Sequence, residues 1–171
     1  MLKNTFELDA HPGGARILFV GPAESSHTHA WIDLLEGSGL NARLFALPNA
    51  VPPDSWPVRT YVTAYNMSGA ADPSTRAGLY PSGGAARFVV RNMRRVLRRE
   101  SSPEASAARW LAEVVRRWRP HVVHTLGLEP SSYFYAGVRK RFGLGGATVW
   151  VVQARGGPDL ALHRLVPGER S

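Results

Sequence analysis

Two segments near the ends of the chain constrain its fold most. Arg16-Ile17-Leu18-Phe19-Val20 runs into Gly21-Pro22-Ala23-Glu24-Ser25-Ser26, and Val149-Trp150-Val151-Val152-Gln153 runs into Ala154-Arg155-Gly156-Gly157-Pro158-Asp159. Each is an apolar run that breaks into a small, polar, glycine-containing loop ahead of a helical pattern. Residues 16–20 show little of the polar–apolar alternation of a half-exposed strand, as expected for a strand buried on both faces, and the longest apolar stretches read as buried strands. Such strands belong to parallel sheets, whose neighbours are joined by helical crossovers. In open α/β sheets ligands bind at the carboxyl ends of the strands, where loops and helix amino termini meet.

The chain between these segments repeats the alternation. Residues 43–47 and 58–65 read as a second and a third strand, with Pro48, Pro52, Pro53 and Pro57 punctuating the loop between them. Ser25 or Ser26 caps a first helix, whose Trp31, Leu34 and Leu35 are expected to face the sheet before Gly37 and Gly39 end it. Residues 66–86 are rich in Gly, Ser, Ala and Pro and read as a long mobile loop. A helix is expected over 86–99. Ser102 with Pro103 opens the next one, with Trp110, Leu111, Val114, Val115 and Trp118 as its buried stripe and Pro120 as its end. Residues 122–126 read as a fourth strand, 130–142 as a helix and 148–153 as a fifth strand. The expected fold is α/β: a doubly wound, mostly parallel sheet with helices on both faces. Residues 1–14 read as a flexible lead-in and 15–171 as a single Rossmann-like domain.

Composition narrows the function classes. The 171 residues suffice for one real core, and they include no run long enough to cross a bilayer. The first 15 residues lack the apolar centre of a signal peptide, so the expected location is cytoplasmic. The absence of cysteine excludes disulfides, thiolate metal sites and cysteine nucleophiles. The net charge of +8 rests almost wholly on arginine and favours anionic partners.

Gly21, Ser25 and Ser26 could hold a hydroxyl or a phosphate at a helix amino terminus, or form an ordinary capped turn. The loop lacks both the dinucleotide-binding glycine triplet and the Gly-Lys-Ser/Thr phosphate loop. His27 and His29 diverge on a helix, and His121 and His124 point to opposite faces of a strand, so no metal site is expected. His124 lies near a strand end and reads equally as a ligand contact or a core histidine. Arg155 could bind an anion in a fork, Gly156 would let a ligand approach the backbone, and Asp159 could hold a hydroxyl; a salt-bridged turn is the plainer alternative. In the helix over 86–99, Val89, Met93, Val96 and Leu97 form one face, and Arg87, Arg91, Arg94, Arg95 and Arg98 lie on the other. That stripe reads first as a solvated surface and second as a contact with an anionic membrane, on its inner face. Nucleic acid comes last, with no recognition motif to support it.

Three pieces together resemble the N-terminal domain of family-4, GT-B-type glycosyltransferases. They are Ile17-Leu18-Phe19-Val20-Gly21-Pro22 with Ser25-Ser26-His27-Thr28 and Trp31; Arg119-Pro120-His121-Val122-Val123-His124-Thr125-Leu126-Gly127; and Val151 through Leu160. In order and spacing they span most of residues 16–165. His121 stands where the family usually has Asp, Leu126 where many members have a second His, and Arg155 where His is commoner. The resemblance implies a doubly wound domain forming the acceptor side of a cleft, with Gly21, Ser25, Ser26, His124, Arg155, Gly156 and Asp159 lining it. It implies transfer of a sugar from a nucleotide-sugar, used as substrate with no further cofactor, to the hydroxyl of a sugar or lipid-linked acceptor. The donor-binding domain of such enzymes has no counterpart in these residues, so a separate donor-domain chain is an expected partner, and the chain is expected to be inactive alone. The alternative expectation is a non-catalytic subunit of the same fold that binds a small anion or a partner chain.

Overall fold

The computed structural model describes residues 6, 9, 11–48, 50–63, 74–79, 102–146 and 148–154. Six strands form one sheet: β1 (Arg16–Gly21), β2 (Asn41–Ala46), β3 (Thr60–Val62), β4 (Arg76–Gly78), β5 (Val122–Leu126) and β6 (Val149–Gln153). Their spatial order is β4-β3-β2-β1-β5-β6, and every pairing is parallel. The described helices are α1 (Ser26–Asp33), α2 (Pro103–Trp118) and α3 (Tyr133–Phe142), with a π-type turn at Leu128–Ser132 leading into α3. This is the expected α/β, Rossmann-like architecture.

The strand order steps one way from β1 to β4 and the other way from β5 to β6. Right-handed crossovers that step in opposite directions lie on opposite faces. Accordingly one face packs Phe19, Leu44, Ala46, Val62 and Leu126 beneath Ile32 of α1 and Trp56. The other packs Leu18, Val20, Phe45, Tyr61 and Val123 against Trp110, Leu111, Val115 and Trp118 of α2 and Tyr135 and Val138 of α3. Successive residues of one strand serve opposite cores, which is why the central runs carry no polar alternation.

Helix α2 follows its sequence signals closely. The Ser102 hydroxyl accepts the Ala105 amide at 3.2 Å, Pro103 takes the first turn, and Arg119 closes the helix in the left-handed conformation at φ 52°. All five residues of its expected stripe are buried.

Three expectations are corrected. Trp31 and Leu34 do not face the sheet; they are 43% and 75% exposed, and α1 buries Thr28 and Ile32 instead, with Leu35 partly packed. Thr28 and Ile32 are one turn apart, and a buried threonine is invisible to a search for large apolar residues. Residues 66–86 are not loop throughout, because β4 lies within them, and its Arg76 and Ala77 and the adjoining Leu79 are buried. Its order comes from a polar group: the Arg76 guanidinium donates to the carbonyls of Pro53, Trp56, Val58 and Thr75 at 2.6–3.0 Å. Finally, the apolar run at 149–153 is not buried on both faces. β6 is the last strand in the order, and Val149, Val151 and Val152 are 62%, 40% and 41% exposed. The expected helix over 86–99 lies outside the described residues. Two residues of the lead-in over 1–14 make tertiary contacts: Phe6 is buried in the α2 core and Asp9 pairs with Arg43.

Candidate functional site at the topological switch point

Chain order reverses between β1 and β5, which are direct neighbours. At that reversal the loops leaving the two strands diverge to opposite faces and open a crevice at the carboxyl edge of the sheet. β1 contributes Gly21 and the turn through Ser25; β5 contributes Gly127 and the turn through Ser132.

The β1 side is closely packed. A Cβ on Gly21 would lie 3.2 Å from the Leu126 Cβ, a contact tight enough that the two strand ends would have to give by a few tenths of an ångström. Ser25 is the N-cap residue of α1, with extended backbone, but its side chain makes no capping hydrogen bond. Ser26 opens the helix and is exposed. The amino terminus of α1 thus lies just beyond the carboxyl end of β1, with the polarity that suits an oxygen ligand.

The β5 side is held by hydroxyls. Ser131 Oγ donates to the Leu126 carbonyl at 2.9 Å, and Ser132 Oγ donates to the Gly127 carbonyl at 2.7 Å and lies 2.8 Å from Thr125 Oγ1. The Gly127 amide donates to the Gln153 carbonyl at 3.1 Å, tying this loop to the end of β6. Gly127 holds φ 97° and ψ 157°, a conformation essentially reserved for glycine. Glu129 is exposed on the same turn. Gly127, Glu129, Ser131 and Ser132 are not among the site residues expected from the sequence. The available signal was a glycine directly after an apolar strand, followed by Glu-Pro-Ser-Ser, but it matched no phosphate or nucleophile motif.

His124 lies on the α1 face, in register with Phe19 of β1 and Val151 of β6. Its ring is 5.3 Å from that of Phe19 and 6.2 Å from that of Trp31. Burial against these rings lowers its pKa below the ordinary 6.5 and favours the neutral imidazole. It stands two residues back from Leu126, the end of the strand. His121 faces the other edge, where its Nδ1 accepts the Arg16 amide at 2.9 Å. Arg155, Gly156 and Asp159, and the stripe Arg87, Arg91, Arg94 and Arg98, lie outside the described residues. β6, the strand that Arg155 follows, ends at the carboxyl edge, in register with Leu126.

Three buried polar atoms near this edge have no hydrogen-bond partner: Thr28 Oγ1 in the first turns of α1, Thr63 Oγ1 just past β3, and Gln153 Oε1 at the end of β6. Buried polar atoms in folded proteins are nearly always paired, so such orphans are the expected mark of a place where ligand or water completes the bonding. Among the described residues, no three His, Asp or Glu side chains come together as a metal cage requires. Nor is any described helix long and apolar enough to cross a membrane.

Searches against protein-family models, curated proteins and solved structures return no match to this chain.

Proposed function

We propose that this chain is the acceptor-side half of a glycosyltransferase, which holds a hydroxyl-bearing sugar or lipid-linked acceptor while a nucleotide-sugar is presented by a donor-binding domain. The observation that carries this reading is the switch-point crevice, walled by Gly21–Ser25 on one side and Gly127–Ser132 on the other. Its chemistry is that of a hydroxyl site: serine hydroxyls, helix amides, an exposed carboxylate and orphaned polar atoms. In the proposed complex Ser25, Ser26 and Glu129 hold the acceptor, His124 forms the side wall, and Arg155, Gly156 and Asp159 meet it from beyond β6. Catalysis rests on orienting the acceptor and on neutralising the departing diphosphate, with the stereochemistry at the transferred carbon retained. The location that suits this role is cytoplasmic, with Arg87, Arg91, Arg94 and Arg98 attracting the chain to an anionic membrane surface.

One observation favours a second reading. The Ser25 hydroxyl is not used for capping, so the amino terminus of α1 also suits a small anion held by a non-catalytic subunit. Saturation-transfer NMR separates the two. The proposal expects neutral glycosides or lipid-linked sugars to bind, about tenfold more weakly to Ser25→Ala and to Glu129→Ala, which corresponds to roughly 1.4 kcal/mol each. Binding confined to small anions and indifferent to Glu129→Ala supports the second reading and sinks the first.

A further inference from the structure

The opposite, amino-terminal edge of the sheet carries an arginine cluster that the switch-point crevice does not use. Arg43 of β2 is 1% exposed, and its side chain shares the α2 face with Leu18. Its Nη1 donates to the Tyr61 hydroxyl at 2.7 Å and its Nη2 donates to the Asp9 carboxylate. The guanidinium lies 4.3 Å from the Trp118 ring and 5.1 Å from the Phe6 ring. Arg59, just ahead of β3, brings its Nη1 to 3.7 Å from the same Asp9 oxygen. The side chain of Asn41, the first residue of β2, helps to hold the Asp9 carboxyl below the ordinary carboxylate range.

Two features distinguish this cluster from an ordinary buried ion pair. Among the described residues two guanidiniums face one carboxylate, so a positive charge is left over there. Both also retain unused buried donors, because Arg43 Nε and Arg59 Nη1 have no hydrogen-bond partner. A planar, singly charged carboxylate therefore satisfies the cluster neither in charge nor in donors. A tetrahedral dianion carries the second charge and the extra acceptor oxygens, and paired guanidiniums suit it. The carboxylate arrives on the segment ahead of β1, which is anchored by Phe6 packing edge-on to Tyr61 at 5.1 Å. Asp9 itself remains 32% exposed, so an ion from solvent can reach the group it would replace.

We propose that Arg43, Arg59, Asn41 and Tyr61 form an anion-binding site for a phosphate group, filled in cis by Asp9 of the amino-terminal strap. The strap is a tethered competitor: its carboxylate is held beside the site at high effective concentration, and phosphate must displace it. The site lies across the sheet from the proposed acceptor crevice and does not depend on that reading.

Chemical rescue tests this. Thermal melts and ³¹P NMR titrations compare the wild-type chain with Asp9→Ala, using inorganic phosphate, glycerol phosphate, and chloride at matched ionic strength. Asp9→Ala is expected to melt lower than wild type in chloride. Phosphate is expected to bind Asp9→Ala at least tenfold more tightly than wild type and to restore its melting point, and the double variant Asp9→Ala/Arg59→Met is expected to lose this response. Glycerol phosphate acting as well as inorganic phosphate assigns the site to phosphate monoesters; inorganic phosphate acting alone assigns it to the free ion. Asp9→Ala that stays unfolded in phosphate, equal gains in phosphate and chloride, or a gain that survives Arg59→Met overturns the proposal.

Discussion

Two residues at the switch point act through physical constraints that substitution can isolate. Gly127 sits at φ 97° and ψ 157°, where any side chain meets the backbone. Gly127→Ala should therefore destabilise the fold by about 1–3 kcal/mol in urea unfolding. A cost near zero would mean that the turn relaxes freely and that the crevice wall is not fixed. His124 tests burial instead. Its pKa is lowered by desolvation, so the unfolded chain takes up a proton near the ordinary 6.5 before the folded chain does. Between those two values the unfolded state holds more protons, and stability falls as pH drops below about 6.5. His124→Phe removes this term, so wild type should lose stability relative to the variant as pH falls from about 7 to about 5. Parallel stability curves over that range would show that His124 is solvated and not part of a packed wall.

At the scale of elements, β4 shows why packing cannot always be read from composition. Its three residues, Arg76, Ala77 and Gly78, look like loop, yet Arg76 is 5% exposed and donates to three carbonyls of the segment between β2 and β3 and to that of its neighbour Thr75. Arg76→Met should leave those carbonyls without their donor and cost about 3 kcal/mol in a denaturation midpoint shift. A cost under about 0.5 kcal/mol would mean that water replaces the guanidinium and that the loop is not fixed by it. The elements that were legible are those whose order comes from local signals. α2 shows a capping serine, a proline in its first turn and a helical stripe, and β5 falls on the expected 122–126. α1 was legible as a helix but not in its orientation, since its buried face centres on Thr28 and Ile32, while Trp31 lies partly outside. The β5–α3 turn was illegible because Ser131 and Ser132 act on backbone carbonyls that only the fold brings within reach.

For the whole molecule, strand order decides where function can reside. An alternating chain of strands and helices predicts a parallel sheet but leaves open where the winding reverses. Here the reversal falls between β1 and β5, so the glycine-ended first strand and the histidine-bearing fifth strand become neighbours, although about a hundred residues separate them in sequence. β5 stands between β1 and β6, so the loops after the first and last segments flank the one after β5. The most direct test is amide chemical-shift mapping by ¹⁵N NMR, adding the tightest-binding acceptor glycoside from the saturation-transfer panel. The largest perturbations are expected on residues 21–26 and 127–132, with smaller ones at Thr28 and Gln153. Perturbations centred on Asn41, Arg43 and Arg59 at the opposite edge, or none with any acceptor, would contradict the crevice as the acceptor site.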